Sequence, residues 1–133
     1  MAEVFNVEII AADRLVWQGD ATQLIATTTE GEIGILAHHI PMIAMLAAGT
    51  AEVTASDGMR HIVAVDGGFV SVTENGAAII SPYAQMAAEI NVDEARRTLL
   101  ELQAKRDAGD NSMTTQMAYR HSMAQVKAAE RHS

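Results

Sequence analysis

The chain has 133 residues, 49% of them hydrophobic and 20% charged, which fits a single globular domain with a substantial core and excludes a disordered chain. It has no cysteine, so disulfides and thiolate metal sites are excluded. The net charge of −8 arises within residues 1–87. Such an acidic surface disfavours nucleic acid and anionic lipid as partners and suits a partner with basic patches, although solubility alone would also explain it.

The N-terminal part of the chain predicts short β-strands. Apolar and polar side chains alternate over residues 5–9, the period-two pattern of a half-buried strand. Two separate strands are expected over residues 15–17 and 24–27, with a break at Gly19. Met1-Ala2-Glu3 lacks the character of a signal peptide, and no apolar run reaches the ~18 residues of a membrane span. We therefore expect no direct membrane insertion.

Residues 31–41 form the most heavily punctuated stretch, because two glycines, two adjacent histidines and a proline follow one another closely. Glycine opens backbone angles closed to other residues and proline fixes φ, so this pattern predicts a shaped, exposed loop in which Gly34 and Pro41 are structural. The uniformly apolar residues 42–46 that follow are expected to form a buried strand.

Two hairpin turns are expected next, because tight turns that match strand twist need positive φ. Asp57-Gly58 separates strands expected over residues 51–55 and 60–65, and Asn75-Gly76 separates strands expected over residues 69–73 and 77–81. Between them, Gly67 and Gly68 lack the spacing of a phosphate-binding loop and predict a bulge or a close backbone crossing. Short strands separated by regular turns are typical of a sandwich or barrel. We predict an antiparallel β-sandwich over residues 1–86.

Helical character begins at Asn91, which with Glu94 has the form of a capping box, and apolar residues then recur at helical spacing. Residues 107–111 break this helix, and Ser112 can cap a second one. That helix is apolar on two faces, one with Met113, Met117, Ala124 and Ala128 and the other with Tyr119, Met123 and Val126. The fold class is therefore α+β, with an antiparallel two-helix hairpin over residues 87–133 following the sandwich.

The histidines raise the question of a metal site or an enzyme. His38 and His39 are adjacent and would point to opposite sides of an extended segment, whereas His61 lies on another predicted strand. No serine has the context of a nucleophile. We expect neither a catalytic residue nor a metal site, and keep as the alternative a stand-alone β-sandwich metal-binding protein or enzyme that uses these three histidines.

Basic residues of the helical part raise a second question, whether they bind an anion such as a nucleotide phosphate. Acidic residues are interleaved with them, and ordinary surface pairing between residues four apart explains most such patterns. We favour the surface pairing. The residues are Arg96, Arg97, Lys105, Arg106 and Arg120.

Several motifs together resemble one family, the epsilon subunits of bacterial F-type ATP synthases, which includes the chloroplast epsilon and mitochondrial delta subunits. The resemblance covers the whole chain, including the order of sandwich and hairpin. The absence of a transit peptide favours a bacterial member. The motifs are residues 30–36, His39, Pro41, Gly49 and residues 66–69.

The resemblance implies a non-catalytic rotor subunit in the central stalk. Its partners would be the gamma subunit and the ring of c subunits, and its place would be peripheral, on the cytoplasmic face of the bacterial membrane. The residues implied to face the ring are Glu30, Gly31, Glu32 and His39. Ala37 stands where the family often has proline, which would loosen this loop.

The resemblance also implies a mobile hairpin, which in relatives either folds against the sandwich or extends into the alpha/beta catalytic head and restrains ATP hydrolysis. Some relatives bind ATP at the start of the first helix. Here Asp93 and Arg96 match that motif, but Arg97 stands where alanine is usual. We therefore expect ATP binding to be weak or absent, and no cofactor.

Overall fold

The computed structural model describes residues 3–132, so the expectation placed on Met1 and Ala2 lies outside the described residues. Eight strands precede a short 3-10 helix and two α-helices. No helix within 3–132 is long and apolar enough to cross a membrane. The elements are β1 (Phe5–Ile10), β2 (Leu15–Thr28), β3 (Gly31–Ile35), β4 (Met42–Ala55), β5 (Arg60–Asp66), β6 (Phe69–Thr73), β7 (Gly76–Ile80), β8 (Ala84–Met86), the 3-10 helix Ala87–Glu89, α1 (Val92–Asp107) and α2 (Met113–His132).

The strands form one sheet in the order β3-β2-β1-β7-β6-β4-β5-β8, and an additional pairing of β2 with β4 closes a circuit through β1, β7 and β6. Folded in this way, the sheet makes the two layers of a sandwich. The predicted α+β class, with strands first and helices after, is confirmed. The sandwich is not purely antiparallel, because β1 and β7 pair in parallel, with Val7 opposite Ala77.

The long strands β2 and β4 were each predicted as two shorter strands, and this prediction was wrong. Register shifts interrupt their mutual pairing between Ala21 and Gln23 and again between Ala26 and Thr28. Such irregularities bend a strand without ending it, so one strand can serve both layers. Gly19 does not break β2, because its missing side chain leaves room for the Trp17 ring, 3.1 Å from where a Cβ would stand.

The main core is built from strand residues alone. Inward-facing side chains such as Val7, Ile9, Leu24 and Ile79 are fully buried, and no residue of either helix belongs to this cluster. Residues 42–46 form the expected strand, but the prediction that they are buried was wrong. Only Leu46 is buried, because alternate side chains of this segment point to solvent.

The turn predictions are confirmed by the pairing of β4 with β5 and of β6 with β7. Gly58 and Gly76 both have positive φ. The close approach expected at Gly67 and Gly68 is also confirmed, since both have positive φ and a Cβ on Gly68 would stand 2.0 Å from the carbonyl oxygen of Ile80. Only glycine fits there.

The helix ends follow the sequence signals. The Asn91 side chain accepts a hydrogen bond from the Glu94 backbone amide at 3.1 Å, and Ser112 Oγ accepts one from the Thr115 amide at 3.3 Å. Asp110 supports the second helix start, because hydrogen bonds from the Ser112 backbone and from the Ser112 and Thr115 side chains hold the pKa of its carboxyl below the usual range.

The hairpin is folded against the sandwich, with α2 lying on β4, β5 and the 3-10 helix. Ala124 and Ala128 pack there against a second small cluster that includes Ile62 and Ala64. Met113 and Met117 were predicted to share an apolar face with Ala124 and Ala128, but both methionines are exposed. The sheet contacts small side chains in the second half of α2 and leaves these methionines of its first turns in solvent.

Candidate interaction surface

The turn between β2 and β3 displays two carboxylates. Thr28 Oγ1 donates to the Gly31 carbonyl at 2.6 Å and accepts from the Glu30 amide at 3.1 Å, which closes the turn, while Gly31 supplies a φ of 121°. Glu30, Gly31 and Glu32 are exposed. The predicted display of these residues at the surface is confirmed.

The prediction of a loop over residues 31–41 is correct only for residues 36–41. Gly31–Ile35 is strand β3, paired with β2, and the loop begins at Leu36. Ile33 and Ile35 alternate with Glu32 and Gly34, and this period-two pattern prevails over the glycine signals. Gly34 lies inside the strand with open space beside it, so the structure shows no need for glycine there.

Residues 36–41 form the remaining loop, built on a tight turn. The His39 amide donates to the Leu36 carbonyl at 3.2 Å, and His38 has a φ of 65°, the only positive value among the described non-glycine residues. This is the pattern of a type II turn, in which proline is favoured at the position that Ala37 occupies. His38 Nε2 contacts the Glu3 carboxylate, and the loop ends at Pro41.

The side chain of His39 is partly exposed, and its Nδ1 lies 2.8 Å from the carbonyl oxygen of Ile40. The turn at Glu30–Gly31–Glu32 and the loop at His39 therefore flank β3, about 13 Å of strand apart. The four residues implied to share one contact surface lie at its two ends.

An apolar strip connects these two ends. Ile40, Ile43 and Met45 are 75%, 73% and 62% exposed, and the Thr29 amide donates to the Met45 carbonyl at 3.0 Å, which ties the strip to the acidic turn. Beneath the loop is an open cavity of about 370 Å³, whose lining includes Phe5. Exposed apolar side chains in series are typical of a protein interface. The sequence offers no signal for it, because residues 42–46 are uniformly apolar.

The end of α2 reaches the acidic side of this surface. The Arg131 guanidinium lies 3.8 Å from a Glu32 oxygen and 3.9 Å from a Glu52 oxygen. Glu52 also contacts Arg60 on the neighbouring strand. In the folded-back hairpin, Glu32 therefore already has a cationic neighbour, although both side chains are about half exposed and the pair contributes little to stability.

Asp93 and Arg96 lie on the first turns of α1, and both are exposed. The Arg96 guanidinium is 3.9 Å from a Glu130 carboxylate oxygen on α2. At the other end of the hairpin, the Arg106 guanidinium stacks 4.1 Å above the Tyr119 ring. The structure does not bring these cations to one place around Asp93.

The three histidines of the alternative hypothesis are not brought together. His61 pairs with Val53 near the end of β4 and packs on Trp17, with ring centroids 5.5 Å apart. His38 and His39 precede the first residue of the same long strand. Within residues 3–132, no three histidine, aspartate or glutamate side chains lie close enough to hold a metal ion.

Comparison with protein families gives a match over residues 4–87, to the beta-sandwich domain of the ATP synthase delta/epsilon chain. The ATP synthase epsilon chain of Streptomyces avermitilis is 40% identical over 108 residues, which cover 81% of this chain and 87% of that one. The epsilon chain of Cutibacterium acnes is 38% identical over 130 residues, covering 93% and 89%. That of Mycobacterium sp. strain KMS is 46% identical over 93 residues, covering 69% and 77%.

Solved structures are also similar. A chain in the mitochondrial ATP synthase of Euglena gracilis, in an assembly described as OSCP/F1/c-ring, has a TM-score of 0.81 and 25% identity over 97% of this chain and 82% of its own length. A chain of the central stalk and c-ring of Tetrahymena thermophila mitochondrial ATP synthase has a TM-score of 0.58 at 13% identity, covering 98% of this chain and 97% of that one. The second likeness concerns the fold alone.

Proposed function

Because the chain belongs to the family of bacterial F-type ATP synthase epsilon chains, we propose that it is the epsilon-type subunit of the central stalk in a proton-translocating ATP synthase. There it couples rotation of the ring of c subunits to ATP synthesis without catalysing a reaction itself. The observation that carries this proposal is the exposed apolar strip Ile40, Ile43 and Met45, which lies between two polar ends that the family motifs occupy.

The polar ends of the surface contact the c ring, and the gamma subunit is the second partner. Glu30, Gly31 and Glu32 form a rigid turn whose carboxylates point outward, which suits a basic loop on the ring. His39 offers its partly exposed ring at the other end. The apolar strip between them suits burial against protein, because burial of such side chains contributes most of the favourable free energy of association.

The subunit is peripheral, held on the cytoplasmic face of the bacterial membrane through these partners. The acidic surface of residues 1–87 supports this arrangement, since it would be repelled by anionic lipid and attracted by basic protein loops. The non-catalytic role is supported by the family and by the separate engagements of His38, His39 and His61.

Reversing one carboxylate charge tests the ring contact. Glu32→Lys is expected to reduce the proton pumping obtained per ATP hydrolysed, because a repulsive contact replaces an attractive one. The sandwich should remain folded, since the Glu32 side chain is 56% exposed. Pumping by inverted vesicles, normalised to hydrolysis, measures the effect.

Two control variants make this measurement specific. Asp13→Lys makes the same charge change in the exposed β1–β2 turn and should leave coupling unchanged. Arg131→Ala removes the intramolecular neighbour of Glu32 and should also leave it unchanged. Normal pumping by a fully assembled Glu32→Lys complex would contradict the ring contact.

ATP binding to the hairpin is expected to be weak or absent. Arg96 already lies beside Glu130, and Arg97 replaces the alanine usual in the nucleotide motif. In a calorimetric titration of the isolated chain, ATP should give no saturation below the millimolar range, and Asp93→Ala and Arg96→Ala should give the same trace as the parent. Micromolar binding that either substitution abolishes would refute this expectation.

A further inference from the structure

A polar cluster joins α2 to the sandwich beside the small apolar contact. Its strongest element is the pair His121 Nδ1 and Asp66 Oδ2, 2.8 Å apart. The Tyr83 ring packs on the His121 ring, with centroids 4.1 Å apart. One helical turn further along α2, Gln125 Nε2 donates to Tyr83 Oη and Gln85 Oε1, both at 3.2 Å. These five residues are called the docking cluster below.

Asp66 is held rigidly at the end of β5. Its backbone amide lies within 3.3 Å of both Ser81 Oγ and the Tyr83 carbonyl oxygen, and Ser81 Oγ donates to that same carbonyl at 2.7 Å. Gly67 follows with a φ of 102°, which turns the chain away immediately. The carboxylate therefore cannot move far when α2 is placed over it.

The Asp66 carboxylate is only half satisfied. Oδ2 has His121, whereas Oδ1 is buried and has no hydrogen-bond partner. A buried carboxylate oxygen without a partner is costly, because water is removed from it and nothing replaces that water. Burial raises the pKa of the neighbouring Tyr83 phenol, and this effect exceeds the lowering of that pKa by the hydrogen bond from Gln125.

The apolar contact beside the cluster gives α2 little specificity. It consists of four alanines, Ala64, Ala87, Ala124 and Ala128, together with Ile62. Small side chains of similar size can pack in several registers and lose little apolar area when they separate. A helix held by them alone would not have one strongly preferred position.

We propose that the docking cluster acts as a latch that depends on His121. In this latch, α2 stays on the sandwich because His121 supplies a hydrogen-bond partner to the Asp66 carboxylate that docking buries. Without His121, the Asp66 carboxylate opposes docking. Releasing the hairpin would return this carboxylate to water, which is then the favourable state. The inference concerns the isolated chain and stands whether or not the chain works in an ATP synthase. It assigns His121 a positioning role and no chemical step.

The latch makes a prediction that ordinary packing does not. Removing His121 should lower the ratio of docked to released hairpin roughly ten- to hundredfold, because Oδ2 of the Asp66 carboxylate then loses its hydrogen-bond partner. Removing Asp66 as well should recover at least about fivefold of that loss, since the opposing charge is then gone. A contact that merely packs would lose docking further in the double variant.

The chain has no cysteine, so two can be introduced for spin labels at exposed positions, Asp57→Cys in the β4–β5 turn and Lys127→Cys on α2. The distance distribution, followed along a urea series, gives the docked-to-released ratio by linear extrapolation. Fluorescence of Trp17, the single tryptophan, reports separately whether the sheet is folded. His121→Ala, Asp66→Ala and their combination are compared in this background.

Arg120→Ala is the matched control, because it truncates the neighbouring exposed side chain on the same helix and should leave the ratio unchanged. A ratio for His121→Ala equal to that of Arg120→Ala would overturn the proposal. So would a double variant docked no better than His121→Ala. If His121→Ala disturbs the sheet, His121→Phe with and without Asp66→Asn provides the same comparison, because phenylalanine keeps a ring against Tyr83 but cannot donate a hydrogen bond to Asp66.

Discussion

Replacing Gly68 by alanine is expected to destabilise the sandwich by at least about 3 kcal/mol, enough to unfold a marginal domain. The φ of Gly68 is 92°, and a Cβ there would stand 2.0 Å from the Ile80 carbonyl oxygen and 2.8 Å from the Ser81 Cα. Both obstacles are backbone atoms of a neighbouring segment, so no side-chain rotation can relieve the clash. Urea unfolding followed by Trp17 fluorescence measures the loss.

Two other glycines separate the contributions to this effect. Gly58 has a φ of 87° but open space around it, so Gly58→Ala should cost only about 1 kcal/mol from backbone strain. Gly34 has neither constraint, and Gly34→Ala should be neutral or stabilising by up to about 1 kcal/mol. A Gly68→Ala variant no less stable than Gly58→Ala would show that the two segments do not approach as described.

Removing the hairpin is expected to raise ATP hydrolysis by the assembled complex severalfold while leaving assembly and ATP synthesis largely intact. Truncation after Ile90 takes away both helices, which the family resemblance implies can extend into the catalytic head. The strand core contains no helix residue, so the truncated chain should still unfold in one cooperative transition. Hydrolysis, synthesis and subunit content of the purified complex are the measurements.

Cooperative unfolding of the fragment 1–90 is the necessary control. It tests the prediction that the sandwich of residues 1–86 is a domain that folds without the helices. Truncation exposes Ile62 and Ala64, which α2 covers in the intact chain, and this should lower the stability of the sandwich only modestly. Unchanged hydrolysis in a complex that contains the folded truncated subunit would mean that the hairpin here has a packing role alone.

The parts of the fold that the sequence predicts are those decided by neighbouring residues. Asp57-Gly58 and Asn75-Gly76 needed positive φ and gave turns, and Asn91 gave a helix cap. The parallel pairing of β1 with β7 and the bends in β2 and β4 depend on how distant strands close the sheet. No local spacing carries that information.

The same distinction between local and long-range features applies to the candidate surface. The exposure of Glu30 and Glu32 and the partial exposure of His39 follow from the turn chemistry around them. Ile43 and Met45 were expected to be buried, but both are exposed. The sequence does not distinguish an apolar side chain of the core from one that becomes buried only when another protein binds. His121 and Asp66 are 55 residues apart, so their pairing could not be read from the sequence.

The closed circuit of β2, β1, β7, β6 and β4 also bears on the subunit before it meets its partners. Within residues 3–132, the outermost strands of the sheet are β3 and β8, of five and three residues. Exposed edge strands can pair with strands of other chains and so cause aggregation, and short edge strands offer few backbone groups for such pairing. Charged residues at positions 30 and 32 further discourage stacking along β3. A newly made chain can therefore expose its apolar strip while it waits for assembly, with little risk of polymerising through its backbone.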